Sequence, residues 1–438
     1  MANLTASFPK AEGNARVCLR LFFIVLVALV LRAAVIPLDS FEDLMDANHI
    51  HAWEQGNVAR SLVEGHGFGS PFASDQPSAI MPPVYPLIVS VFFRVFGVHT
   101  AHSIVAIHLF DCLINALACI PIFLLARRSF GERAGWWAAW GWAFFPYGIY
   151  FSAAWAWSTH LLLLCLCWLL YLSQELEESS RLRLWGGFGT LAGFAGLTEP
   201  SVLVVVPFLL VLAAFRLARA GKRWLLPGTI ASLALAATIS PWLIRNAVVF
   251  HRFIPMRDSM GLELWMGNNG DNVRWTSDEL HPLHDMKELA AYDKGELAYM
   301  DDKAQQALAY IQAHPDWYAW MCVRRAVYLW TGYWSFKPEY LAQEPTDPEN
   351  IPFATGMTLL SIAGLVRLWR RNKFDALRLG GTMFLFPMMY YLNHPEPYHM
   401  RALDPLLVML GCFAIVTWRE RVRESVAVPQ VAEAVSEA

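Results

Sequence analysis

The sequence predicts an all-α polytopic membrane protein of about ten transmembrane helices, with juxtamembrane helices in its first outer loop and a small, mainly helical extracytoplasmic segment. Three observations carry this. Only 16% of the 438 residues are charged, against roughly 25% in soluble domains, and the mean hydropathy is +0.35. The apolar residues gather into runs approaching the roughly 20 residues that cross a hydrocarbon core. Basic residues cluster at alternate ends of those runs, the asymmetry that sets orientation in a bilayer. The net charge of −3 offers no basic footprint for nucleic acid. None of the seven cysteines forms a CxxC pair, so neither a disulfide framework nor a zinc site is expected.

Spans are expected near 17–38, 101–126, 134–151, 156–173, 184–197, 200–217, 224–247, 353–369, 376–393 and 402–418. Lys10, Arg16 and Arg20 before the first run also suit a signal peptide, but no clean small-x-small site follows it, which favours a span. With the N-terminus in the cytoplasm, alternation gives cytoplasmic flanks holding Arg127, Arg128 and Arg133, then Arg216, Arg219, Lys222 and Arg223, then Arg367, Arg370 and Arg371. The short outer loops 152–158, 198–200 and 394–401 hold a single Arg or Lys, Arg401. Counting the apolar stretch Pro82–Gly97 as a span would turn every later basic cluster outward. It reads instead as a juxtamembrane or re-entrant helix on the outer face, with Arg94 snorkelling.

The chain thus divides into an N-terminal membrane module, 1–249, carrying an outer loop at 39–100; an extracytoplasmic, mainly helical segment, 250–352; C-terminal membrane helices, 353–423; and a polar tail, 424–438, expected to be disordered. The ionisable residues concentrate in the outer loops rather than inside the spans. That favours chemistry at the surface over passage of a solute, since transporters place such groups at the midplane. Asp111 is the exception, and a hydrogen bond to His108 or Asn115 on its own helix is the expected reason.

Three stretches together resemble the GT-C superfamily of membrane glycosyltransferases, in particular the family 39 group of protein O-mannosyltransferases and aminoarabinose transferases. The first is A-R-S-L-V-E-G-H-G-F at Ala59–Phe68, followed by P-P-V-Y-P-L at Pro82–Leu87 and F-R-V-F-G at Phe93–Gly97. The second is A-R-R-S-F-G at Ala126–Gly131. The third is P-W-L-I-R-N-A-V-V-F-H-R-F-I-P at Pro241–Pro255, running on to G-L-E-L-W-M-G-N-N at Gly261–Asn269. Beyond about residue 270 the likeness rests only on H-P-x-x-Y at His314–Tyr318 and R-A-L-D-P at Arg401–Pro405.

The resemblance implies a GT-C fold, a polyprenyl-phosphate-linked sugar donor, reaction on the extracytoplasmic side with inversion, and an acid of the first outer loop near the reacting sugar. The family's acid stands about five to eight positions before the Ala of its A-R-x-L string, which points here to Glu54 and His51, with Asp46 as the runner-up acid. Solvated loop acids are the alternative reading. An alcohol acceptor needs such a group to take its proton. The departing phosphate needs donors aimed at it, and arginine's bidentate fork suits that task. Arg245, ending a span, and Arg401, beside His399 in the last outer loop, are therefore the candidate phosphate ligands, although Arg245 also suits snorkelling. Trp157 and Trp265, with Trp155, are candidates for stacking on the sugar, and Asn268 and Asn269 complete the third string. Where the family often carries a second acid, this chain has Ser158, with His160 close by, which leaves a metal-assisted mechanism in doubt. No cofactor and no metal site are expected.

The expected function is transfer of a sugar from a polyprenyl-phosphate donor to a lipid, glycan or protein acceptor, by a multi-pass protein of a membrane such as the bacterial inner membrane. A transporter or flippase, and a polysaccharide polymerase or ligase, are the alternatives.

Overall fold

Apolar run length settles which segments form the membrane layer. Among the described residues, six helices are long and apolar enough to cross a membrane: Ala101–Phe130, Thr159–Leu176, Pro200–Arg219, Leu225–Phe250, Pro348–Arg371 and His399–Arg419. Each lies over an expected span. The computed structural model describes residues 10–38, 53–72, 76–270, 281–341, 347–394 and 397–419, and the regular structure of these residues is helical apart from one isolated bridge between Gly69 and Pro77.

The chain enters through α1 (Lys10–Ala33) and continues, after the first outer loop begins, with α2 (Glu54–Glu64). The apolar α3 (Val84–Phe96) has 13 residues, too few for a full crossing. It ends at Gly97 with φ 93°, a left-handed geometry that glycine adopts without a Cβ penalty. Gly131, directly after Phe130 and at φ 102°, does the same for the second family-like string. Between them, α4 (Ala101–Leu117) starts on a reciprocal cap. Ser103 N–H donates to Thr100 Oγ1 at 3.2 Å, and Thr100 N–H donates to Ser103 Oγ at 3.1 Å, so two orphan donors of the first turn are satisfied. The helix runs into α5 (Cys119–Phe130).

The expected span at 134–151 is broken in two, α6 (Glu132–Ala143) and α7 (Pro146–Ala154). Pro146 has no N–H and cannot extend the ladder of α6, so carbonyls at the end of α6 lose partners. The wholly buried Arg32 of α1 replaces them, donating to Trp142 O at 3.0 Å and Ala143 O at 3.2 Å. Asp111 on α4 accepts from the Tyr85 hydroxyl of α3 at 2.6 Å, a partner on another helix rather than the neighbour along its own that the sequence suggested.

Helices α8 (Thr159–Leu176), α9 (Leu182–Thr198) and α10 (Val205–Arg219) follow, and then α11 (Leu225–Phe250). A Cβ placed on Gly189 of α9 would come within 2.0 Å of the Ala231 carbonyl oxygen of α11. Small residues of this kind let apolar helices approach closely where lipid offers no hydrophobic drive.

A second layer packs on one end of these helices. It is built from α2 with its following loop, α12 (Met260–Gly267), α13 (Met286–Tyr292) and α14 (Glu296–Ala313). Val58, Phe72, Leu262, Trp265, Tyr292 and Met300 are its buried core. Polar ties fix the register: Ala79 N–H donates to Glu296 Oε1 at 2.8 Å, and Asp258 N–H donates to Ala79 O at 2.9 Å. Segments 58–81 and 262–307 therefore share one core among the described residues. Helix α15 (Pro315–Thr331) leads to α16 (Asp347–Arg371), and the expected span at 376–393 is again two helices, α17 (Lys373–Leu385) and α18 (Met388–Leu392).

Candidate functional site

A cavity of about 240 Å³ opens where the second layer meets the membrane helices. Six chain segments converge on it. The first turn of α2 brings Glu54 and Gln55; the turn between α7 and α8 brings Trp155 and Trp157; the end of α9 brings Glu199. The approach to α12 and α12 itself bring Arg257 and Glu263. His281 comes from the loop before α13, and His394 and His399 from the loop before the last span.

The glycines of the third string explain part of this convergence. A Cβ on Gly261 would lie 1.9 Å from the Met300 carbonyl oxygen, and one on Gly267 would lie 2.2 Å from the Asn393 carbonyl oxygen. The first contact seats α12 on α14. The second lets α12 abut the loop that carries His394. Asn268, the next residue, donates to Leu264 O at 2.8 Å and Leu392 O at 3.3 Å and accepts from Arg325 Nη2 at 3.1 Å. It pins the same loop rather than lining the cavity.

Arg257 is the one arginine or lysine among the described residues lining the cavity. Its Nε donates to Ile80 O at 3.1 Å and its Nη2 to Glu263 Oε1 at 2.9 Å, while Nη1 stands 3.7 Å from Glu199 Oε1. His394 Nδ1 lies 3.1 Å from Glu263 Oε2. Burial alone would raise the Glu263 pKa, but His394 and Arg257 outweigh it and hold the carboxyl below its ordinary value. Glu199 goes the other way: burial raises it, and the more distant Arg257 offsets only part. Burial would lower the pKa of Arg257, yet Glu263, Glu199 and Glu54 together keep it raised. The guanidinium is thus permanently charged and fixed in orientation.

On the opposite wall, Leu283 N–H donates to His281 Nδ1 at 3.2 Å. That bond puts the neutral ring's proton on Nε2, which faces Glu54 Oε1 at 3.4 Å. Glu54 is thereby held at the cavity wall as an acceptor.

Of the residues the sequence singled out, Glu54, Trp155, Trp157 and His399 line the cavity, His399 stacked on Tyr390 at 4.2 Å. Trp265 lies in the second-layer core with Lys303 Nζ 3.5 Å over its ring, and Asn269 does not line the cavity. Arg245 donates to Ser78 O at 2.7 Å and Phe68 O at 3.0 Å, tying the loop after α2 to α11. Arg401 is 3.3 Å from Asp404 and lies over the Tyr147 ring at 4.4 Å, in a separate, smaller cavity of about 20 Å³. Asp46 and His51 lie outside the described residues. The site candidates read from the sequence did not include Glu199, Arg257, Glu263, His281 or His394. A weak signal existed for Glu199, an acid in a turn between two spans.

The described residues contain no cluster of three or more His, Cys, Asp or Glu side chains arranged to hold a metal ion.

The all-helical fold has counterparts among solved structures. It is similar to that of the Archaeoglobus fulgidus oligosaccharyltransferase AglB solved with an inhibitory peptide and a dolichol-phosphate, at 12% identity and TM-score 0.51, over 94% of this chain and 52% of that one. The same archaeal enzyme solved with Zn and sulfate matches at 13% identity and TM-score 0.50, over 94% and 51%. ArnT from Cupriavidus metallidurans bound to undecaprenyl phosphate matches at 14% identity and TM-score 0.41, over 90% and 77%. This chain spans about half the length of the archaeal enzymes. Residues 80–244 match the family model described as dolichyl-phosphate-mannose-protein mannosyltransferase, a stretch short of half the chain. No curated protein matches the sequence.

Proposed function

We propose that this protein transfers a sugar from a polyprenyl-phosphate donor to an acceptor hydroxyl on the extracytoplasmic side of a membrane. The observation that carries this is the single cavity in which Glu54, the clamped Arg257 and two tryptophans meet at one end of the membrane helices. The match of residues 80–244 to the mannosyltransferase family supports the donor class.

In this reading the donor phosphate meets Arg257, whose two carboxylate partners hold the fork pointed into the cavity. A preorganised cation stabilises charge developing on the leaving phosphate without reorganising at the moment of reaction. Trp155 and Trp157 flank the sugar. Glu54 accepts the proton of the acceptor hydroxyl as its oxygen attacks the anomeric carbon. The carbon–oxygen bond to the phosphate breaks on the opposite face, so the configuration inverts and the polyprenyl phosphate departs as the anion. His281 keeps Glu54 oriented. His399 lines the donor end, with Arg245, Arg401, Asn268 and Asn269 supporting the surrounding loops and Trp265 anchoring α12 in the second-layer core. The acceptor is a lipid, glycan or protein.

Mass spectrometry of cell-envelope glycolipids and glycoproteins, with and without the gene, tests this. One glycoform missing in the deletion and restored by the wild-type gene, but not by a Glu54→Gln allele, is the expected result. Identical glycan profiles in all three strains would overturn the reading.

A further inference from the structure

Gln55 sits beside Glu54 in the first turn of α2 and lines the cavity, yet it is only 2% exposed. Its neighbours are committed to the fold. Trp53 Nε1 donates to Ala156 O at 2.9 Å, and Asn57 Nδ2 donates to Pro71 O at 2.8 Å. The Gln55 amide uses one end in the same way, Nε2 lying 3.2 Å from Ser158 Oγ. Its other end, Oε1, is buried without a hydrogen-bond partner.

A buried amide oxygen with no partner is destabilising, and such groups in folded proteins call for an explanation. An apolar residue of the same length would fill the space without that cost. A bound molecule that donates to the amide removes the cost on occupancy. The partner Ser158 is itself neutral and buried at 1% exposure, so the pair presents no charge. A neutral hydroxyl fits such a pair, and because a hydroxyl both donates and accepts it serves either orientation of the amide. An ammonium or phosphate group would reach it with no compensating charge.

We propose that Gln55, held by Ser158, is a specificity-determining residue that reads one hydroxyl of the sugar in the cavity. This rests on the glycosyl-donor reading above and narrows it. The sugar carries a free hydroxyl at the position facing α2, and its deoxy counterpart is rejected because the amide stays unpaired.

The test uses the purified full-length protein in detergent and short-chain polyprenyl-phosphate-linked hexoses and pentoses as probes. The sugar that wild type binds most tightly is compared with its monodeoxy derivatives. One derivative is expected to bind wild type about 5- to 100-fold more weakly. Gln55→Met should bring that ratio close to one, and Gln55→Asn, which draws the amide back by one methylene, should leave it intermediate. If Gln55→Met does not fold, Gln55→Asn carries the comparison. Identical ratios across all derivatives in wild type and variants would overturn the Gln55 assignment while leaving the donor reading intact. Folded wild-type protein that binds none of the lipid-linked sugars would overturn the donor reading itself, and this inference with it.

Discussion

His160 Nε2 lies 3.0 Å from the Trp155 carbonyl oxygen, at the rim of the cavity. Its other nitrogen, Nδ1, is 3.3 Å from Asn115 Nδ2, and Asn115 Oδ1 accepts from Arg32 Nε at 2.9 Å. Since Arg32 can only donate, the direction of every bond in the chain is fixed. Asn115 turns its oxygen to Arg32 and its amide hydrogens to His160 Nδ1, and His160 is left with its proton on Nε2, aimed at Trp155. A buried arginine in the membrane layer thus sets the carbonyl of a tryptophan lining the cavity.

Breaking this chain in the middle should loosen the Trp155 turn without touching the carboxylates. His160→Phe is expected to raise the KM for donor about 10-fold while kcat changes less, and His160→Gln, which keeps a donor to Trp155, should recover part. Arg32→Met removes a donor to three backbone carbonyls and should lower stability by about 2–4 kcal/mol. Thermal unfolding in detergent would read this, and an unchanged midpoint would contradict the role given to Arg32.

Removing the charge of Glu54 while keeping its shape should abolish proton transfer. General-base contributions run to about 10²–10⁴-fold, so Glu54→Gln should lose that much turnover with little change in unfolding temperature. Glu54→Asp should recover a fraction. Asp46→Asn and His51→Gln belong in the same experiment, because the three residues fall in one stretch of sequence. A nearly active Glu54→Gln beside a dead Asp46→Asn would move the role to Asp46.

The three arginines separate by what holds them. Arg257→Ala should weaken binding of a lipid-phosphate donor analogue by at least 10-fold, and Arg257→Lys should restore it only in part because a point charge replaces a fork. Arg245→Ala should chiefly destabilise the fold, since it leaves the Ser78 and Phe68 carbonyls without that donor, at about 1–3 kcal/mol. Arg401→Ala should leave Asp404 unpaired. Donor affinity unchanged in Arg257→Ala but lost in Arg401→Ala would move the phosphate to the smaller cavity.

Asp258 gives the fold a pH dependence. Burial raises its pKa from 3.8 to about 6, so the folded state holds this proton more tightly than the unfolded chain does. The stability it contributes is complete below about pH 4 and is lost as the pH rises to about 6, by at most about 3 kcal/mol. Asp258→Asn cannot titrate. The variant's unfolding midpoint should therefore gain on wild type between pH 4 and 6, with the difference constant above that. A difference independent of pH would rule the assignment out.

The sequence alone determined the membrane class and where six of the ten expected spans fall, because transfer into lipid depends on local composition that any run of the chain displays. It also marked Glu54, which stands a short, countable distance before a recognisable string. The breaks inside two expected spans were half legible: Pro146 announced the first, but nothing in the sequence said that Arg32 would satisfy the freed carbonyls. The rest of the site was decided by tertiary structure. Glu199, Arg257, Glu263, His281 and His394 belong to separate segments, and each is unremarkable in its own neighbourhood. The same holds for the arginines, since a guanidinium at the end of a span reads alike whether it meets a phosphate or the backbone of a neighbouring loop. Arg245 found the carbonyls of Phe68 and Ser78, and Arg257 found two carboxylates. Contacts between residues distant in the chain are fixed by how α9, α12 and the last outer loop pack together, and no local pattern encodes that.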